Sequence, residues 1–116
     1  MDPLLFKADQ RTLSAFGDGR GLVAVGRDMT ADNNAVMGCG RAEFEDCELT
    51  ATIPYDEYLY CVEGEIGIRI GDRNLVLRRH DAVWLSRGTQ LTYLVKGHAV
   101  GVYAFTPVNW RQPEAG

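Results

Sequence analysis

Hydrophobic and polar residues alternate in short runs along most of this chain, and turn-forming residues separate the runs. The clearest run carries Ile66, Ile68 and Ile70 at every second position, on one face of a strand. The same pattern predicts further strands at 21–27, 41–44, 47–53, 58–62, 75–77, 82–85, 91–95 and 100–105. Many short strands with turn signals between them are typical of a sandwich or barrel, so we expect an all-β fold.

Glycine and short polar segments predict where the chain turns. A hairpin is expected around Glu45 and Asp46, a polar loop at 28–34, a reversal at 71–74 and a break at 96–98. The first twenty residues and the tail after Trp110 have weak patterns, and we expect edge strands or extended arms there.

The length of 116 residues predicts one domain, 1–116, with its core at about 21–110. No apolar run approaches the roughly 20 residues that span a bilayer, and no secretory signal opens the chain, so we expect a cytoplasmic protein without a membrane partner.

A net charge of −4 without a Lys/Arg cluster argues against a nucleic-acid partner. The three cysteines have no Cys-x-x-Cys spacing, and we interpret them as small buried hydrophobic residues.

Segment 50–64 resembles the first signature motif of the cupins. In metal-dependent members that motif contains His-x-His, then a glutamate, and a glycine at its end. Gly64 and Glu57 occupy the glycine and glutamate positions. The two histidine positions fall on one of two neighbouring pairs: Thr50 and Thr52, or Ala51 and Ile53.

A second cupin motif is similar to segment 80–91, where Leu91 occupies the position of the remaining metal-binding histidine. Three of the four usual ligands are therefore replaced. Transition metals prefer imidazole or thiolate ligands, so we expect no metal and no other cofactor.

Several short segments, in order, resemble the cupin domain of the ethanolamine-utilisation EutQ family over about residues 36–110. They are Met37-Gly38-Cys39-Gly40, Tyr55-Asp56-Glu57, Val62-Glu63-Gly64, Arg87-Gly88 and Pro107-Val108-Asn109-Trp110. The resemblance implies an RmlC-like jelly roll, also called a double-stranded β-helix barrel, that is often dimeric and works without the metal site. Members are bacterial and associated with microcompartments, and an acetate-kinase activity is attributed to some.

This chain departs from the family at two points. It lacks the amino-terminal extension of longer members, and it has Leu59 where they often have a second acid. The second departure weakens any transfer of phosphoryl chemistry, since the sequence also has no Gly-rich phosphate loop with its lysine.

Glu57 is the first candidate catalytic residue, because a carboxyl inside a barrel is desolvated and its pKa is raised toward neutrality. The alternative is a purely structural Glu57 held in the wall by hydrogen bonds. Tyr55 is the second catalytic candidate, since residues two apart share a strand face. The candidate ligand-binding residues are Thr50, Thr52, Asp56, Trp84, Tyr93 and Tyr103, although core packing is an alternative for the three aromatic residues.

The sequence is compatible with three functions. The first is a metal-independent cupin that binds a small polar or carboxylate metabolite, with weak acid/base chemistry through Glu57 and Tyr55. The second is a metal-dependent oxygenase or isomerase with displaced ligands such as His80, His98 or a cysteine. The third is a non-catalytic scaffold of a catabolic pathway. In each case we expect a homodimer.

Overall fold

The computed structural model describes residues 3–17, 19–34 and 36–111 and confirms the all-β prediction. In these residues a short 3-10 turn at Ala8–Gln10 precedes eight strands, all paired antiparallel. The strands are β1 (Ser14–Ala15), β2 (Arg20–Met29), β3 (Gly38–Thr52), β4 (Asp56–Glu63), β5 (Ile66–Ile70), β6 (Arg73–Leu77), β7 (Ala82–Leu85) and β8 (Gln90–Thr106). None of the described residues belongs to a helix long and apolar enough to cross a membrane.

The two longest strands, β3 and β8, pair along their whole length, from Gly38 opposite Phe105 to Thr52 opposite Gln90. The predicted hairpin around Asp46 is therefore wrong, and so is the predicted break at 96–98. Each of these sites is an irregularity inside one continuous strand, between the pairs Glu45–His98 and Cys47–Val95.

A hydrogen bond joins the two irregular sites. Asp46 has left-handed backbone (φ +43), and its Oδ1 accepts a hydrogen bond of 2.7 Å from the backbone N–H of Gly97, which is also left-handed (φ +74). Both strands carry turn-forming residues, yet both continue, because they bulge at the same level and remain paired on either side.

The bulge divides β8 into two halves with different neighbours. The carboxy-terminal half pairs with β4, which pairs with β7, and the amino-terminal half pairs with β5, which pairs with β6. On the other side of β3 lie β2 and the edge strand β1. The fold is therefore two antiparallel sheets that share β3 and β8.

The core lies between the inner faces of these sheets. Its largest fully buried side chains are Phe44, Leu59, Cys61, Ile66, Ile68, Leu85 and Val100. Cys47 is also buried, whereas Cys39 is partly exposed. The amino-terminal arm is attached to β2 by two hydrogen bonds of 2.9 Å from Arg11 to Asp28.

Replacing Asp46 with alanine is expected to lower the free energy of unfolding by about 1–2 kcal/mol, because it removes a hydrogen bond and puts a residue ill-suited to left-handed backbone at the bulge. Asp46→Asn, which tolerates this backbone and keeps an acceptor, is the control and should lose less than half as much. Urea denaturation measures both. An Asp46→Ala protein as stable as the wild type would show that the bulge does not depend on this residue.

Candidate functional site

A cavity of about 470 Å³ opens between β2, β3, β4 and the carboxy-terminal half of β8. Most of its lining is apolar, including Val25, Phe44 and Leu59. Set into this lining are the buried carboxyl of Glu57 and the tyrosines Tyr55, Tyr93 and Tyr103. The charged residues Arg27, Asp32 and Arg111 also line the cavity. A mostly apolar cavity of this size with polar groups set into its wall is typical of a small-molecule site.

Glu57 points into this cavity from β4, between Leu85 on β7 and Phe105 on β8. Only 6% of the residue is exposed. Burial raises the pKa of its carboxyl from an ordinary 4.5 to about 7, and no hydrogen bond or charge from the described residues offsets that effect. The cavity therefore holds a carboxyl that exchanges a proton near neutral pH and has no partner in the described part of the chain.

The three tyrosines line the same cavity as this carboxyl. Burial is the main cause that raises the pKa of each phenol, to about 12 for Tyr103, and the negative charge of Glu57 raises all three further. At neutral pH they are uncharged hydroxyls, which both donate and accept hydrogen bonds.

Two glycines of β3 make room for the aromatic wall of the cavity. A Cβ at Gly38 would overlap the ring of Phe105, and a Cβ at Gly40 would lie 2.8 Å from the hydroxyl of Tyr103. Phe105 in turn stacks on Tyr55 with ring centroids 4.0 Å apart, and Tyr55 meets the edge of Trp110 at 5.7 Å. The Gly-x-Gly of residues 38–40 therefore accommodates an aromatic layer that reaches from β8 to the carboxy-terminal segment.

Comparison with known proteins matches residues 8–112 to the family model described as ethanolamine utilisation protein EutQ. The match covers most of the chain. The chain belongs to the EutQ family. The predicted cupin and EutQ resemblance is thereby confirmed.

Individual relatives agree with this assignment. The chain is 25% identical over 81 residues to "Acetate kinase EutQ" of Clostridioides difficile (strain 630), covering 70% of this chain but 52% of that protein. It therefore spans about half the length of this EutQ relative. The solved structure of the Clostridium difficile EutQ protein aligns with a TM-score of 0.74 at 23% identity, over 78% of this chain and 72% of the other.

A further structural neighbour supports the jelly-roll fold. An RmlC-like cupin from Shewanella frigidimarina aligns with a TM-score of 0.74 at 15% identity, over 91% of this chain and 92% of the other. At this identity the likeness concerns the fold alone, and it confirms the cupin jelly roll.

Four of the predicted ligand-binding residues of this EutQ-family chain lie outside the cavity. Thr50 and Thr52 are exposed, with Thr50 Oγ1 2.9 Å from Thr92 Oγ1, because Leu49, Ala51 and Ile53 take the inward positions of β3 and the segment after it. Their predicted inward orientation is wrong. Of the two pairs that the motif spacing left open, Ala51 and Ile53 face the core.

Asp56 and Trp84 are the other two corrections. Asp56 Oδ1 accepts a hydrogen bond of 2.9 Å from the backbone N–H of Arg87, since its neighbour Glu57 takes the inward position. Trp84 is 60% exposed and pairs across strands with exposed Tyr58, because Leu85 next to it is buried. Tyr58 and Tyr60 lie on the side of β4 opposite Glu57.

The histidines do not reach Glu57. His80 Nδ1 lies 2.6 Å from the hydroxyl of Tyr60, and His98 Nε2 lies 3.6 Å from Glu43 Oε1, and neither lines the cavity. Within residues 3–17, 19–34 and 36–111 no three His, Cys, Asp or Glu side chains are grouped to hold a metal ion. The cavity offers the carboxylates of Glu57 and Asp32 but no imidazole or thiolate, and this set does not fit a first-row transition metal.

The cavity residues that sequence reasoning missed include Arg27, Phe105 and Trp110. The sequence pattern could have identified Arg27, because this residue continues the period-two series of Val23 and Val25, which line the same cavity. Trp110 lay in a recognised motif, yet its place beside Tyr55 depends on how the carboxy-terminal segment folds back.

Glu57→Gln is expected to remove a pH dependence of stability. The folded pKa of about 7 lies above the ordinary 4.5, so the stabilisation from the neutral acid is fully present below pH 4.5 and is lost as pH rises through 7. Between about pH 4 and 8 the wild type should lose about 3 kcal/mol relative to Glu57→Gln. Urea denaturation across this pH range measures the difference. Glu63→Gln, an exposed change on the same strand, should keep the wild-type profile, and parallel profiles of all three proteins would contradict the assignment.

Gly38→Ala is expected to destabilise the fold by about 1–3 kcal/mol, because the new methyl displaces the ring of Phe105. In a Phe105→Leu background the same change should cost less, by at least roughly 0.5 kcal/mol. Gly40→Ala is the contrast: its Cβ would also overlap the carbonyl oxygen of Gly26, so Tyr103→Phe should not rescue it. Additive losses for Gly38 and Phe105 would contradict the packing argument.

Proposed function

We propose that this EutQ-family chain binds a small polar or carboxylate metabolite in the cavity around Glu57, without a metal ion, and supports weak acid/base chemistry on it. The observation that carries the proposal is the buried carboxyl of Glu57, which faces an open cavity without a partner among the described residues. None of the fully buried side-chain oxygens of the described residues lacks a hydrogen-bond partner, so the Glu57 oxygens are open to the cavity, where a bound ligand would supply a partner.

Acid/base chemistry is supported by the titration of Glu57 near pH 7. A general acid or base works best when its pKa lies near the operating pH. Glu57 is the proposed proton donor and acceptor, and Tyr55 is proposed to donate a hydrogen bond to the same ligand oxygen. The phenol of Tyr55 stays protonated at neutral pH, because burial and the nearby Glu57 raise its pKa.

The other two functions have less support. A metal enzyme with displaced ligands would need His80, His98 or a cysteine at Glu57, and the described structure does not bring them there. A scaffold would be favoured by a filled interior, whereas this interior contains an open cavity with polar groups. The homodimer stays a prediction.

As part of the same proposal, this chain takes part in ethanolamine utilisation, as its family does. An acetate-kinase activity is a less supported extension of this proposal. Where longer relatives often carry a second acid, this chain has Leu59, which is 2% exposed in the cavity wall. The binding test therefore includes ethanolamine, acetate, acetyl phosphate and ATP.

The test is a binding screen of the full chain with small carboxylates, hydroxy compounds, ethanolamine, acetate, acetyl phosphate and ATP, read by thermal shift and by chemical-shift changes in NMR spectra. At least one compound should bind, with changes at residues of the cavity. Glu57→Gln should weaken that binding roughly tenfold or more, whereas Glu63→Gln should not.

Three outcomes would refute the proposal. The first is the failure of every compound to bind in the cavity, and the second is binding that Glu57→Gln leaves unchanged. The third is stoichiometric, tightly held metal in the purified protein, measured by elemental analysis.

A further inference from the structure

Asp32 and Arg111 are charged residues of the cavity besides Glu57, and Arg27 is a third. It lies on β2, lines the cavity and is exposed, which places its guanidinium at the mouth. It takes part in none of the ion pairs found among the described residues. Asp28, next to it in sequence, is already bound to Arg11 at 2.9 Å.

Arg27 lies close to the phenol of Tyr103 and lines the same cavity as Tyr55. Gly40 is opposite Arg27 in the β2–β3 pairing, and the hydroxyl of Tyr103 lies over Gly40. The positive charge of Arg27 also partly opposes the rise in pKa of Tyr55 and Tyr103 that burial causes. An anionic group at Arg27 would therefore also meet phenol hydroxyls that can donate hydrogen bonds.

Between the mouth and Glu57 the wall is aromatic. Tyr103 and Phe105 stack with centroids 6.0 Å apart, Phe105 stacks on Tyr55 at 4.0 Å, and Trp110 closes the end of the layer. Arg111 covers the Trp110 ring, with its guanidinium carbon 4.6 Å from the ring centroid. Such a wall favours a flat apolar group, because aromatic faces gain from stacking as well as from burial.

The inner end of the cavity disfavours a second negative charge. Glu57 itself resists ionisation there, since desolvation raises its pKa and no cation of the described residues is close enough to lower it. A ligand carboxylate at that end would meet the same penalty plus repulsion from ionised Glu57. A neutral hydroxyl or carbonyl would instead exchange a hydrogen bond with the carboxyl.

We infer that the cavity selects monocarboxylates with a flat apolar body, bound with the carboxylate on Arg27, the body along the aromatic wall formed by Tyr55, Tyr103, Phe105 and Trp110, and a neutral oxygen at Glu57. This inference rests on the proposed function, since it names the ligand class of the same cavity. Beyond the proposed function, it specifies the charge, the orientation and the size of the ligand.

The test uses 4-hydroxyphenylacetate as the probe, with isothermal titration calorimetry on the full chain. Its neutral amide, 4-hydroxyphenylacetamide, should bind at least tenfold more weakly, because a charge-assisted pair with Arg27 is lost. The dicarboxylate 4-carboxyphenylacetate should also bind at least tenfold more weakly, because its second charge lies at the inner end. Acetate should bind more weakly than the probe, since it lacks the apolar body.

Arg27→Met is the decisive variant. It should reduce binding of the probe to the level of the amide and leave binding of the amide within about twofold, since the amide has no charge to lose. Arg20→Met is the matched control, being the same change at an exposed position of the same strand outside the cavity. Circular dichroism and thermal denaturation establish that both variants are folded.

Equal affinity for the probe and its amide, no binding of the probe by the wild type at 10 mM, or undiminished probe binding by Arg27→Met would each overturn this inference. The proposed function would survive those results if another compound of the screen bound in the cavity in a Glu57-dependent manner. If no compound bound there, both would fail.

Discussion

The pairing of β3 with β8, bent at a shared bulge, is the constraint on which the rest of this structure depends. The bond between Asp46 and Gly97 joins the two strands where both leave regular geometry. On the amino-terminal side of the bulge β8 pairs with β5, and on its carboxy-terminal side β8 pairs with β4. One long strand thus serves both sheets, and the space between them becomes the core and the cavity.

This bend also determines which residues meet at the site. The carboxy-terminal half of β8 lies between β3 and β4, so Phe105 is opposite Gly38 on one side and Glu57 on the other. The missing side chain at Gly38 admits the Phe105 ring, which supports Tyr55. The aromatic wall and the buried carboxyl are therefore consequences of the same strand pairing.

The two ends of the cavity differ in charge and in exposure to solvent. An arginine lies at the exposed mouth, where its charge remains solvated, and the carboxyl lies inside, where burial favours its neutral form. Since both groups lack ionic partners among the described residues, a ligand of complementary chemistry would satisfy both.

The sequence by itself determined the all-β fold, the family, the loss of the usual metal-binding histidines and the retention of Glu57, because these depend on local pattern and motif spacing. Tertiary structure decided the rest. A period of two leaves two choices of face for every strand, and only the pairing register showed that Ala51 and Ile53, not Thr50 and Thr52, point inward. Likewise Asp46 and Gly97 have the chemistry of turns, and only the partner strand at the same level made them a bulge in a continuous pair.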